Sequence, residues 1–239
     1  MTSAPSRGSV ERRQCPPGLE YLQLIDQMLV HQQIQFIELL VGYEQANKYV
    51  VKNTMGQFIF FGVEESDCIV RCLCGQNRPF ELRLLDHTSR EVIRLFRPLR
   101  CSSGICFCCL QDMSVQAPPG NVVGYVKQNF SIIFPNFSIL DANRKLVLLV
   151  KGPFITSSCF GDVVFNIFTP DEKHKVGMIT KNWTGIFKEM LTDVDNFTVV
   201  FPIDLDVKFK AVLLGCTFLI VSGCLLAAYG VSRVRGQRY

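Results

Sequence analysis

The chain has 239 residues and a formal net charge of +4, with 48% of residues hydrophobic and 19% charged. That supplies one large core or two small ones, but no basic stripe with interleaved aromatics of the kind that binds nucleic acid. No His-Glu-x-x-His, Gly-x-Ser-x-Gly or phosphate-loop pattern occurs, and His31, His87 and His174 are scattered, so no enzyme's catalytic set is legible.

Residues 1–14 are polar and lack the apolar stretch of a signal peptide. They read as a disordered segment, and the domain that follows reads as cytosolic, with its eleven cysteines reduced. Cys15-Pro16-Pro17-Gly18 marks the start of order. Leu19, Leu22, Ile25 and Leu29 recur at three to four residues, which predicts a short amphipathic helix.

From Ile34 the period changes to that of strands. The segments 49–61, 80–96, 137–150 and 165–179 each place Asn, Asp, Gly or Lys between two apolar runs and predict four β-hairpins. Single strands near 36–42, 113–117, 122–133 and 197–209 bring the count to about twelve. So many strands with few helices predict a mainly β domain, a closed barrel or a sandwich, because closure removes exposed edges. The last strand rests on strict alternation. Phe197, Val199, Phe201, Ile203, Leu205, Val207 and Phe209 hold one face, while Asp204, Asp206, Lys208 and Lys210 hold the other. Four Asn-X-Ser/Thr sequons begin at Asn129, Asn136, Asn182 and Asn196.

Residues 211–232 carry no charge, with Lys208 and Lys210 before them and Arg233, Arg235 and Arg238 after. At about 1.5 Å per residue such a helix reaches about 30 Å, the thickness of a hydrocarbon core. The expectation is a transmembrane helix over 211–232 that tethers the domain, with a basic tail at 233–239. A helix buried inside its own domain is the competing reading.

Several blocks then carry a resemblance. PPGLEYLQLIDQ, NKYVVKNTMGQ, RPLRCSS with CCLQ, VQAPPGNVVGYV, NWTG, and DVDNF with FPIDLDVKFKAVLLG resemble the phospholipid scramblases from about Cys15 to the C-terminal helix. The resemblance implies a tubby-like β-barrel of about twelve strands over residues 15–210, with the hydrophobic helix around or beside it. It also implies calcium-stimulated, ATP-independent movement of phospholipids between leaflets, at a membrane and most naturally the plasma membrane. Only fourteen residues precede Cys15, so the family's Pro-rich motifs for SH3 and WW partners are missing from the sequence.

Two constellations follow from it. Cys101, Cys106, Cys108 and Cys109 lie near Arg94, Arg97 and Arg100, and the resemblance implies reversible S-palmitoylation there. Their spacing lacks the Cys-x2-Cys pairs of a zinc site, as does that of Cys68, Cys72 and Cys74, and inert thiols are the plain alternative. The stretch Asp193–Asp204 matches the family's proposed Ca2+ loop, with Asp193, Asp195 and Asp204 as candidate ligands. Its fifth and sixth positions are Phe197 and Thr198, where an EF-hand loop needs an oxygen ligand and Gly. A strand at 197–209 would carry Asp204 out of reach of an ion held by Asp193 and Asp195. One apolar helix also offers no polar path for lipid head groups, so homo-oligomers would have to build one, or the barrel acts as a phosphoinositide-binding adaptor instead.

Overall fold

In a computed structural model, described for residues 15–33, 48–65, 79–99, 110–131, 134–153, 161–182 and 196–235, the alternating segments close on themselves. The strands are β1 (Gln27–Gln33), β2 (Lys48–Lys52), β3 (Phe58–Glu65), β4 (Phe80–Leu85), β5 (Glu91–Arg97) and β6 (Asp112–Gln116). They continue with β7 (Val122–Asn129), β8 (Asn136–Asp141), β9 (Leu146–Lys151), β10 (Val163–Phe168), β11 (Lys175–Asn182) and β12 (Asn196–Val200). Each pairs antiparallel with its sequence neighbours, and β12 closes the ring on β1, with Val30 opposite Phe197 and Met28 opposite Val199. The fold is the mainly β, twelve-stranded closed barrel with a C-terminal helix that the sequence predicts.

The period of two sorts the side chains. In β10, Val163, Phe165 and Ile167 are buried in the lumen while Asn166 and Phe168 stand on the wall.

The two ends of the barrel differ. Five tight turns, from Asn53, Asp86, Ala117, Asp141 and Thr169, share one device: the third residue onward, Gly56, Ser89, Gly120, Arg144 or Glu172, has a positive φ. In the β4–β5 turn Asp86 Oδ1 accepts the N–H groups of Thr88 and Arg90, and in the β8–β9 turn Asp141 Oδ1 accepts those of Asn143 and Lys145. The ladder slips by one residue beside each turn, as a hairpin with a left-handed bulge requires. All five turns lie at one end, called here the hairpin end. The longer connections, such as those between Arg97 and Asp112 and between Asn182 and Asn196, all leave from the other, the loop end.

Two expectations are corrected. The residues from Leu19 to Leu29 are not one helix: Glu20–Leu24 is a 3-10 turn and Gln27 opens β1. Apolar spacing of three suits a 3-10 turn, and Ile25, Met28 and Val30 then bury themselves as the chain becomes extended. Twelve strands are reached with β1 as a member; the expected strand at 36–42 lies outside the described residues. The strand expected over 197–209 ends at Val200. Pro202 has no N–H for a ladder, Leu205 N–H turns back to the Pro202 carbonyl, and Asp206 caps a helix by accepting the Lys208 N–H at 3.0 Å. Asp204 is therefore an exposed turn residue and is not on a strand.

That helix, α1 (Val207–Arg235), runs into the barrel. Its side chains are described to Val221, and from Ala211 to Val221 they are buried, packed among the inward residues of the wall. Phe218 meets Tyr49 edge-on, with ring centroids 4.9 Å apart. Burial pushes the Cys216 thiol pKa far up, so it stays protonated. The half of the apolar run expected in the bilayer is thus the core of the barrel. Among the described residues no helix is long and apolar enough to cross a membrane.

Small residues make room for the plug. A Cβ on Gly124 would stand 2.5 Å from the Leu140 carbonyl oxygen and 2.7 Å from Val212 Cγ2. We expect Gly124→Ala to destabilise the chain by about 1–3 kcal/mol in denaturant unfolding, because backbone cannot yield as a side-chain tip can. Gly161→Ala, where a Cβ meets nothing within 4 Å, should stay within about 0.5 kcal/mol of the parent chain.

Candidate functional site

The entry of α1 into the barrel is built around one cation. Lys210 is fully buried, and its ammonium donates to the carbonyls of Leu22 at 2.9 Å, Ile25 at 2.8 Å and Ile203 at 2.8 Å. An ammonium has three donors, and all are used. It also stands 5.1 Å from the centroid of the Phe201 ring. These contacts pin α1 at once to the 3-10 turn, to the start of β1 and to the turn after β12. Burial lowers the Lys210 pKa, with Asp26 and Asp204 opposing the shift. Sequence reasoning missed this residue, because a lysine just before an apolar run reads as a membrane-flanking cation.

The other end of α1 sets the geometry of the candidate site. Val207 to Val221 rise about 21 Å, about the length of the wall strands, so α1 has crossed the barrel by Val221. Its backbone continues as helix to Arg235 from the loop end. The remaining apolar residues, 222–232, reach about 16 Å, half a hydrocarbon core. While the barrel holds its first half, the helix cannot span a bilayer.

Cys101, Cys106, Cys108 and Cys109 lie outside the described residues, in the connection from β5 to β6. Asp193 and Asp195 also lie outside them, in the connection from β11 to β12. Asp204 is described, and it lies at the hairpin end beside Lys210. Between it and Asp195 runs β12, whose five extended residues cover about 13 Å. Ligand oxygens of one Ca2+ ion lie within about 5 Å of one another, a shorter reach than the length of β12. Among the described residues no group of three His, Cys, Asp or Glu could hold a metal ion.

The four sequon asparagines gather at the loop end for a structural reason. Asn129 faces Asn136 across β7 and β8, and Asn182 faces Asn196 across β11 and β12. An Asn and the Ser or Thr two residues on share a face of a strand, so their polar groups pair across the ladder. The Ser138 hydroxyl donates to Asn129 Oδ1 at 2.9 Å, and Asn182 Nδ2 donates to Thr198 Oγ1 at 2.7 Å. Asn196 Oδ1 is hydrogen-bonded by His31 Nδ1 at 2.6 Å.

A family model described as Scramblase matches residues 7–222. The chain belongs to the scramblase family. Among its relatives, phospholipid scramblase 2 of Bos taurus is 54% identical over 86% of this chain and 70% of its own length. Phospholipid scramblase 1 of Homo sapiens is 53% identical over 86% of this chain and 65% of its own. Phospholipid scramblase family member 5 of Homo sapiens is 46% identical over 85% of this chain and 75% of its own. The chain thus spans about two thirds of the length of the curated relatives it matches. No solved structure matches. The matched region reaches past Lys210 and through the barrel-filling part of α1.

Lys210→Met should cost about 3 kcal/mol or more in denaturant unfolding, since it leaves buried carbonyls without donors. A pKa lowered in the folded state means that the folded chain binds fewer protons than the unfolded one between that pKa and the ordinary 10.5. Stability should therefore gain from Lys210 as pH rises through that window. The variant should lose this alkaline rise in a pH series of unfolding curves.

Proposed function

We propose that this chain moves phospholipids between bilayer leaflets, without ATP and under the control of Ca2+, with its barrel on the cytosolic side of the plasma membrane. The observation that carries the reading is identity of 53–54% over 86% of the chain to proteins named phospholipid scramblases. The family suggests a lipid translocator rather than a catalytic enzyme.

The filled lumen constrains the route. Side chains of α1 occupy the barrel from Ala211 to Val221, so head groups do not pass through the ring of strands. A polar path must lie outside it, between copies of the chain or along the surface at the loop end. In this reading Ca2+ is held by Asp193 and Asp195 with oxygens from outside the 193–204 stretch, and Asp204 takes no part. The same filled lumen favours a second reading, a lipid-binding adaptor without intrinsic scrambling, because a plugged barrel is a rigid platform with no conduit.

Purified full-length chain in liposomes carrying a fluorescent lipid separates the two. We expect loss of leaflet asymmetry with Ca2+ and without nucleotide. Asp193→Ala or Asp195→Ala should abolish the Ca2+ response, and Asp204→Ala should leave it intact. Liposome binding with no lipid movement under any condition would leave the adaptor as the better reading.

Acylation of Cys101, Cys106, Cys108 and Cys109 would give a second attachment at the loop end, each buried methylene adding about 0.8 kcal/mol. Labelled palmitate incorporated in cells should be lost when all four are replaced by Ala. Incorporation equal to that of the parent chain would show that these thiols are not the acceptors.

A further inference from the structure

Large apolar side chains are exposed in two arcs that lie diagonally across the barrel. Leu24, Met55, Phe58 and Ile203 stand at the hairpin end, near β12, β1, β2 and β3. Phe96, Leu99, Phe130 and Phe134 stand at or near the loop end, on β5 and between β7 and β8. The second arc is 43%, 56%, 39% and 45% exposed in that order. Phe96 lies opposite Ser114, and Ser114 opposite Tyr125, five residues before Phe130. Two strand spacings of about 4.8 Å and five residues of about 3.3 Å place Phe96 and Phe130 about 19 Å apart on one side of the barrel.

Resting on the reading that this chain works at a phospholipid membrane, we propose that the arc Phe96–Leu99–Phe130–Phe134 is the edge by which the barrel inserts into the bilayer interface. Three observations select this arc and this occupant. First, α1 leaves the barrel at the loop end, and its remaining sequence is apolar to Ser232 and then basic at Arg233, Arg235 and Arg238. Second, three of the four side chains are phenylalanines, beside the exposed Lys127, so an apolar wedge sits next to a cation suited to anionic head groups. Third, the arc is one-sided. An upright barrel would drive Arg233 about 16 Å down, to the costly middle of the hydrocarbon. Seating only the β5–β8 side tilts the barrel, so α1 enters obliquely and its arginines stay level with the head groups. The same tilt turns the hairpin-end arc away from the membrane.

The test uses full-length chain with Trp183, the only tryptophan, replaced by Phe. Single tryptophans are then placed at Phe130, Phe134 or Met55. The probes are vesicles of phosphatidylcholine and phosphatidylserine, with or without bromine on the acyl chains. Phe130→Trp and Phe134→Trp should be quenched by the brominated lipid and shifted to the blue, while Met55→Trp should not. Adding Phe134→Asp to Phe130→Trp should reduce quenching towards the Met55→Trp level, with the far-ultraviolet circular dichroism unchanged. Quenching of Met55→Trp alone would assign the membrane to the hairpin end and overturn the proposal. Co-flotation with vesicles but no quenching at Phe130 or Phe134 would overturn the edge while leaving membrane attachment standing. Failure to float with vesicles at all would overturn both.

Discussion

A closed ring of twelve strands is too wide for side chains from opposite walls to meet, and this lumen must be filled. Helix α1 fills it. The inward residues of the strands, the small Gly124 beside Val212, and the buried Lys210 all answer to that helix. Without α1 the wall would enclose a cavity lined by Leu82, Leu95, Val115 and Ile139, each deprived of its packing partner. The barrel and the hydrophobic helix are one folding unit, and the boundary expected at 210/211 falls inside it.

Lys210 shows how the unit is locked. A free ammonium is costly to bury, yet here it joins three backbone carbonyls from two distant parts of the chain. The first turn of α1 is therefore fixed at the hairpin end, and the direction of the helix assigns everything else to the loop end. The strand ends on either side of the cysteine-bearing connection, and of the connection with Asp193 and Asp195, lie at that end. The two ends of the barrel thus differ: five short turns lie at one, and the longer connections start from the other.

The plug also limits mechanism. A helix that spends about 21 Å inside its own barrel has only about 16 Å of apolar length left, too little to span a bilayer. Any state in which residues 211–232 do span requires withdrawing the core of the domain. While the barrel stays closed on α1, its lumen offers no conduit, and the exposed aromatics at its edge are among the apolar surfaces it presents to its surroundings.

The strand pattern was legible in the sequence because its cause is local. Period-two alternation and turn residues predicted the four hairpins built from β2–β3, β4–β5, β8–β9 and β10–β11, and the number of strands implied a closed barrel or a sandwich. The family was legible from long blocks in order, such as VQAPPGNVVGYV. Three things were decided only by the tertiary structure. Leu19 to Leu29 carry a helical spacing, but pairing with β2 and β12 makes Gln27–Gln33 a strand. Phe197 to Phe209 alternate throughout, but Pro202 and the Asp206 cap stop the strand and start a helix. Residues 211–221 are apolar on every face, as a helix in lipid or a helix in a barrel would be. Hydropathy measures only the absence of water. Which apolar surroundings replace the water depends on the strands that close around the helix, and that is settled by contacts between residues nearly two hundred positions apart, such as Lys210 and Leu22.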